Sequence, residues 1–201
     1  CSATCLALGG SSHALTGGSD GGVYLWRSER AECILVVREH TVPVRGLIPL
    51  EPDGGAPRYV SADESGRVSH MSFSVADKTF KRAASMRLST TCGGENSAQG
   101  VPAPSKRARR VRYMCRTPAT TAAEVIVATE ASQILHVDLA TAQPRARLLG
   151  GNAHGGLGLA TALAAHPTEA IYASGGEDRL IAMWSIVPAT DLAARQPRAT
   201  A

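Results

Sequence analysis

Short apolar stretches separated by turn residues run along most of the chain, and two of them follow the same pattern. Residues 17–26 and 174–184 each contain a strand end of small residues, a turn with an Asp, and a strand that ends in Trp six positions after that Asp. Turn residues of this kind between apolar runs are a strong signal of a β-hairpin, because they tolerate a positive φ. The pattern therefore predicts two related hairpins near the two ends of the chain.

Two weaker copies of the pattern lie between these hairpins. Residues 61–71 place the turn at 65–66 and put Met71 where the Trp stands in the stronger copies. Residues 125–137 form the faintest copy, with Val137 at the Trp position. Four related units in one chain indicate a repeat protein built from β-strands.

The spacing of the aligned positions supports this interpretation. The interval from Trp26 to Met71 nearly equals the interval from Val137 to Trp184. Both are close to the ~40–45 residues of a four-stranded propeller blade. The interval from Met71 to Val137 is about half as long again. The excess falls in residues 90–107, which are rich in Gly, Pro, Ser and Thr and predict a loop insertion.

An all-β chain with four blades follows from these repeats. Residues 157–166 are rich in Ala and Leu and would suit a helix by propensity. The glycines before them, the His-Pro pair at 166–167 and the strand-like equivalents in the other repeats favour a strand instead. The predicted organisation is blades 1 and 2 over residues 1–89, a flexible insertion over 90–107, blades 3 and 4 over 108–187, and a tail or linker over 188–201.

The composition suits one domain with a hydrophobic core, since 44% of the 201 residues are hydrophobic. No apolar stretch approaches the ~20 residues of a membrane helix, and the first residues do not resemble a signal peptide. The sequence begins at Cys1 rather than at Met, which suggests a segment of a longer protein. We therefore expect an intracellular protein without membrane contact.

Residue types that serve in catalysis are present but scattered. The five cysteines include no C-x-x-C pair, and the six histidines do not form the short-spaced pairs typical of zinc ligands. No Ser lies in a G-x-S-x-G turn, and no Gly-rich loop opens a helix that could bind phosphate. The sequence predicts no enzyme activity, no metal and no cofactor.

A basic run is the best candidate for a contact with a partner. The net charge is +4, and five cations fall close together in the chain: Lys106, Arg107, Arg109, Arg110 and Arg112. Such a run suits an acidic tubulin tail, another acidic protein surface or an RNA backbone. A solvated loop is the alternative interpretation. The small number of aromatic residues argues against a surface that stacks RNA bases.

The last repeat resembles the WD-repeat family of β-propellers most closely. That family has a His before the inner strand, an Asp in the tight turn and a Trp-Asp pair at the end of the third strand. Here His154 precedes the inner strand, Asp178 lies in the turn, and Trp184 ends the third strand, although Ser rather than Asp follows it. The resemblance implies that these side chains hold a blade together through hydrogen bonds and do no chemistry.

The other repeats match the family pattern less completely. The first keeps Asp20 and Trp26 but has no matching His, and the second keeps His40, which precedes Ser65 by nearly the interval that separates His154 from Asp178. By this alignment a His–Asp pair is complete in the last blade only. Closed propellers of this type most often need about seven blades within a range of ~4–8, so the chain represents about half of a ring. The remaining blades, or another chain, are expected to complete it.

The resemblance implies a non-catalytic scaffold that binds proteins within a large assembly. Residues 154–178 are also similar to blades of echinoderm microtubule-associated-protein-like and axonemal WD-repeat proteins. This similarity implies tubulin or axonemal partners and a place in the cytoplasm and cytoskeleton, in particular the cilium or flagellum. The alternatives are a nucleolar or RNA-processing scaffold and a substrate receptor of a ubiquitin ligase.

Overall fold

The computed structural model describes residues 1–9, 13–53, 56–88, 109–117, 123–140, 145–150, 154 and 159–185. Across these residues it contains fifteen β-strands and one short 3-10 helix, Ser28–Arg30. The prediction of an all-β chain is confirmed. The predicted insertion at 90–107 and the predicted tail at 188–201 lie outside the described residues.

The strands form four antiparallel sheets, which we call blades 1 to 4. Blade 1 contains β1 (Ala3–Gly9), β2 (His13–Gly18), β3 (Val23–Arg27) and β4 (Glu32–Val37). Blade 2 contains β5 (Val44–Asp53), β6 (Ala56–Asp63), β7 (Arg67–Ser74) and β8 (Thr79–Arg87). Blade 3 contains β9 (Val111–Arg116), β10 (Glu124–Thr129), β11 (Ile134–Asp138) and β12 (Arg145–Gly150). Blade 4 contains β13 (Ala160–Ala165), β14 (Ile171–Gly176) and β15 (Ile181–Ser185).

Within each blade, neighbouring strands in sequence are neighbours in the sheet. Between blades, the first strands lie side by side, with β5 contacting both β1 and β9, and β9 contacting β13. The first strands are therefore the inner strands, and the blades radiate outward from them. The stretch rich in Ala and Leu forms the inner strand β13, as its position in the repeat predicts.

Alternation along the strands gives every blade two faces. In blade 2, Tyr59 packs into a core shared with blade 1, whereas Val60 packs into a core shared with blade 3. In blade 3, Val127 faces blade 2, and Ile126 faces blade 4. Strand β10 of blade 3 is buried on both faces, which explains why it is apolar at consecutive positions. We call the face toward the earlier blade the preceding face and the other the following face.

The two outer blades each have one apolar face without a neighbouring blade among the described residues. On the following face of blade 4, Ile181 is 78% exposed and Met183 is 68% exposed, while Trp184 turns toward blade 3. On the preceding face of blade 1, Leu6 and Leu8 are exposed on β1. Removing large apolar side chains from water is favourable. Contact between one of these faces and another protein surface would therefore be stabilising.

Candidate functional site: an arginine-lined rim

The buried polar residues of blade 4 form one continuous chain of hydrogen bonds. The indole N–H of Trp184 donates to the Ser174 hydroxyl at 2.9 Å, and that hydroxyl lies 2.9 Å from Nε2 of His154. Nδ1 of His154 lies 3.0 Å from Oδ1 of Asp178. A carboxylate only accepts hydrogen bonds, so Nδ1 donates to Asp178 and Nε2 accepts from Ser174. Every polar group in this hydrogen-bond network has a partner, which makes these residues structural supports.

Blade 2 contains a second pair of this kind, at a position that the sequence alignment misses. Nδ1 of His40 donates to Oδ2 of Asp63 at 2.9 Å, and Nε2 of His40 lies 2.7 Å from the Ser61 hydroxyl. The alignment places Ser65 at the position of the Asp. The interpretation that only the last blade has a His–Asp pair is therefore wrong, because the carboxylate of blade 2 comes from two residues earlier in the chain.

The carboxylate of Asp63 replaces the turn Asp that blades 1 and 4 contain. Its Oδ1 accepts hydrogen bonds from the amide of Ser65 at 2.8 Å, the hydroxyl of Ser65 at 2.7 Å and the amide of Arg67 at 3.0 Å. In blade 4 the equivalent position is Gly176, where an added Cβ would overlap the ring of His154. Burial acts to raise the pKa of Asp63, but the hydrogen bonds from His40, Ser65 and Arg67 outweigh it and leave that pKa below its ordinary value.

Blade 1 has the turn Asp and the Trp of the pattern, joined to different groups. Asp20 accepts hydrogen bonds from the Tyr24 hydroxyl at 2.6 Å, the Gly22 amide at 3.1 Å and the Arg38 guanidinium at 3.1 Å. The hydrogen bond from Tyr24 is the main cause that lowers the pKa of Asp20. Trp26 donates to the Thr16 hydroxyl at 2.9 Å, as its counterpart in blade 4 donates to Ser174. These contacts fix the hairpin turn of blade 1.

The described part of the basic run lies between blades 2 and 3. Arg109 and Arg110 precede β9, and Arg112 is the second residue of that strand. Arg110 contributes to an ion-pair network, since its Nη1 lies 3.4 Å from Oε1 of Glu64 in blade 2 and 3.7 Å from Oε2 of Glu130 in blade 3. Arg110 thus connects blades 2 and 3. The other two predicted contact residues, Lys106 and Arg107, lie outside the described residues.

A cleft opens where three inner strands begin. Its volume is about 550 Å³, and it is bordered by the first residues of β5 and β9 and by the residue before β13. Its lining side chains include Arg45, Arg110, Arg112, Tyr113, Glu130 and Leu159. Arg45 is a residue that the sequence did not single out, and it reaches the cleft from blade 2, where its Nη2 lies 2.9 Å from Oε2 of Glu64.

A second cleft, of about 420 Å³, continues along the same rim of the molecule. Arg109, Arg110 and Glu64 line it together with Arg87, which the sequence also did not single out. Gly66 shapes this region, because its φ is 86° and an added Cβ would overlap the carbonyl oxygen of Arg109. We define the arginine rim as the five arginines that line the two clefts: Arg45, Arg87, Arg109, Arg110 and Arg112.

The rest of the described chain offers little of the geometry used in other classes of site. No group of three or more His, Cys, Asp or Glu among those residues could hold a metal ion. No helix in the same part of the structure is long and apolar enough to cross a bilayer. Burial raises the pKa of the Cys115 thiol to about 12, so the nucleophilic thiolate is a minor form at neutral pH.

Comparison with solved structures shows the fold. The Cps50 (Swd1) β-propeller domain of Myceliophteria thermophila matches with a TM-score of 0.67 and 14% sequence identity, over 92% of this chain and 54% of that one. A chain of the mitotic checkpoint complex matches with a TM-score of 0.66 and 11% identity, over 92% of this chain and 49% of that one. The computationally designed Ika8 protein matches with a TM-score of 0.60 and 17% identity, over 92% of this chain and 46% of that one.

These structures, together with the four sheets of this chain, confirm the prediction of a β-propeller fold with about four blades. The chain spans about half the length of each solved propeller that it matches. Comparison with protein-family models gives no match, and comparison with curated proteins gives none either. At these levels of identity the similarity establishes the fold alone, so the function has to be argued from the rim and its side chains.

Proposed function

We propose that this chain, as part of a WD-repeat propeller, is a non-catalytic scaffold that binds protein partners within a large assembly. The observation that carries the proposal is the arginine rim, where the starts of three inner strands bring basic side chains from two blades together. Stacked blades hold such side chains at fixed distances from one another, which suits recognition of another protein surface. The mitotic checkpoint complex, one of the similar structures, is itself a protein assembly.

We further propose that the assembly is a microtubule structure, in particular the ciliary axoneme. This proposal rests on the similarity of residues 154–178 to microtubule-associated and axonemal blades, together with the charge of the rim. Tubulin carries acidic tails, and a cluster of arginines would attract them by screened electrostatics. The corresponding location is the cytoskeleton of the cytoplasm, cilium or flagellum.

Co-pelleting with microtubules tests this proposal. The wild-type chain should pellet with them, and the bound fraction should fall as salt increases, since the Debye length shortens from about 10 Å at 0.1 M to about 3 Å at 1 M. Changing Lys106, Arg107, Arg109 and Arg110 together to Ala should reduce the bound fraction several-fold at low salt. Pelleting that neither salt nor the four substitutions reduce would contradict the microtubule proposal.

The RNA-processing alternative uses the same side chains and is separated by the same assay. Arginines bind phosphate as well as carboxylate, so the rim also has the charge for an RNA backbone. Pelleting with RNA but not with microtubules would favour the nucleolar scaffold. A substrate receptor of a ubiquitin ligase would bind neither polymer and would require a specific protein partner.

A further inference from the structure

We infer that the arginine rim is a docking groove for an acidic peptide segment of a protein partner. This inference rests on the proposed function, since it names the chemistry that a protein partner would present. The two clefts share Arg110 and together extend from Arg87, at the end of β8, to Leu159, just before β13. An extended segment lying along them would contact blades 2, 3 and 4.

The charge of the groove is positive after its internal ion pairs are counted. Five arginines and two glutamates line the two clefts, so positive side chains outnumber negative ones by three. Glu64 is held by Arg45 and Arg110, and Glu130 is held by Arg110. The two glutamates therefore neutralise Arg45 and Arg110. The excess positive charge lies on Arg87, Arg109 and Arg112.

Those remaining arginines have free donor groups. Arg87 and Arg112 form no ion pair with any other residue that the structure describes. Nε of Arg109 is buried and has no hydrogen-bond partner within the same described set. A guanidinium presents its N–H groups as a planar fork that matches the two oxygens of a carboxylate. Carboxylates of an incoming segment would supply acceptors to Arg87 and Arg112.

A peptide suits the groove better than a nucleic acid does. Glu64 and Glu130 interrupt the positive surface, and they would repel the evenly spaced phosphates of a continuous backbone. Tyr113 is the one aromatic side chain among the described residues that line either cleft, which leaves little for base stacking. Val42 and Leu159 provide apolar contacts at the two ends, and a peptide that alternates acidic and apolar side chains could use both kinds of contact.

The groove is held in place by backbone hydrogen bonds within blades 2 and 3. The amide of Glu130 in blade 3 donates to the carbonyl of Arg110 at 2.9 Å, and the amide of Glu64 donates to the carbonyl of Pro43 at 2.9 Å. The amide of Leu88 donates to the carbonyl of Gly66 at 2.8 Å. A groove fixed in this way loses little conformational entropy when a ligand binds, which favours affinity.

Fluorescence anisotropy tests the inference with a labelled glutamate peptide, in which glutamate alternates with valine over about ten residues, and with a lysine peptide of the same alternating pattern and length as the charge control. The wild-type chain should bind the glutamate peptide and not the lysine peptide. The double substitution Arg87→Ala and Arg112→Ala should weaken binding about tenfold, because it removes two arginines that form no ion pair with the other residues that the structure describes. The milder pair Arg87→Lys and Arg112→Lys keeps the charge and should weaken binding less.

Arg116→Ala is the matched control, since Arg116 lies on the same strand β9 at its opposite end and pairs with Glu51 at 2.8 Å. The Arg116→Ala variant should bind the glutamate peptide with an affinity within about twofold of the wild-type affinity. Equal affinities for the wild type and the Arg87/Arg112 double variant would overturn the inference, as would tighter binding of an RNA oligomer of the same charge. Peptide binding at the groove without microtubule pelleting would leave the inference standing and remove the microtubule proposal alone.

Discussion

Replacing Asp63 with Ala should lower the free energy of unfolding by about 3–5 kcal/mol, because its carboxylate accepts several hydrogen bonds and each hydrogen bond to an ionised group contributes about 1.5–3 kcal/mol. Asp63 is buried, and its carboxylate accepts hydrogen bonds from the His40 ring, from the Ser65 amide and hydroxyl, and from the Arg67 amide. Alanine would leave the buried His40 ring and the partly buried donors of Ser65 and Arg67 without this acceptor, and each unsatisfied buried group costs about 1–3 kcal/mol. Urea denaturation followed by Trp fluorescence measures the change.

Asp20→Ala is the matched control for this substitution. Asp20 occupies the turn of blade 1, but its side chain is more exposed, so water can replace the hydrogen bonds that it accepts. The Asp20→Ala variant should therefore lose clearly less stability than the Asp63→Ala variant. A change of less than about 1 kcal/mol for Asp63→Ala would contradict the role assigned to the His40–Asp63 pair.

Acid titration gives an independent measure of the same carboxylate. The pKa of Asp63 is lowered in the folded state, so its contribution is fully present above the unfolded value of about 3.9 and is lost as the pH falls through the lower folded value. The wild-type chain should lose stability more steeply below about pH 4 than Asp63→Ala does. If the free energy of unfolding falls equally steeply with pH in the two proteins, a carboxylate other than Asp63 causes the loss of stability in acid.

The exposed faces of blades 1 and 4 should make the chain associate with itself at micromolar concentrations. Ile181 and Met183 are largely exposed on the following face of blade 4, and sheet edges with such side chains tend to pair with other sheets. Changing both to Lys should raise the concentration at which association begins by about tenfold or more, since each buried side chain of this size contributes about 1.5–3 kcal/mol. Sedimentation velocity over a concentration series measures the shift.

Phe80→Lys is the control for the exposed faces, because Phe80 is 40% exposed but lies on β8, the outer strand of a middle blade. It should leave association unchanged. A wild-type chain that sediments as a compact monomer at every concentration would contradict the interpretation that these faces are contact surfaces.

The repeat pattern predicted the fold because its signals are local. An Asp turn followed by a Trp marks a hairpin, and the intervals between copies measure the length of a blade. The inner strand β13 shows how the repeat decides an ambiguous segment, since its composition favours a helix and its position favours a strand. The buried acceptor of blade 2 could not be predicted in the same way. An alignment compares residues at equal positions, whereas the carboxylate of Asp63 reaches His40 from a position that is Gly176 in blade 4.

The arginine rim could be predicted only in part from the sequence. Arg109, Arg110 and Arg112 are close together in the chain and therefore stand out as a basic run. Arg45 lies far from them in the chain, and it joins the cluster because the inner strands of neighbouring blades begin at the same end of the molecule. The ion pairs that Arg110 forms with Glu64 and Glu130 depend on the same stacking of blades.

Hydrogen exchange measured with and without a saturating glutamate peptide tests the central claim, that one rim of this propeller binds an acidic partner. We expect slower amide exchange on peptide binding in segments 42–45, 64–66 and 109–113, which border the two clefts. Residues 165–167, beside Arg116 at the opposite end of the inner strands, should exchange at unchanged rates. Protection confined to 165–167, or no protection in any of these segments, would contradict the claim.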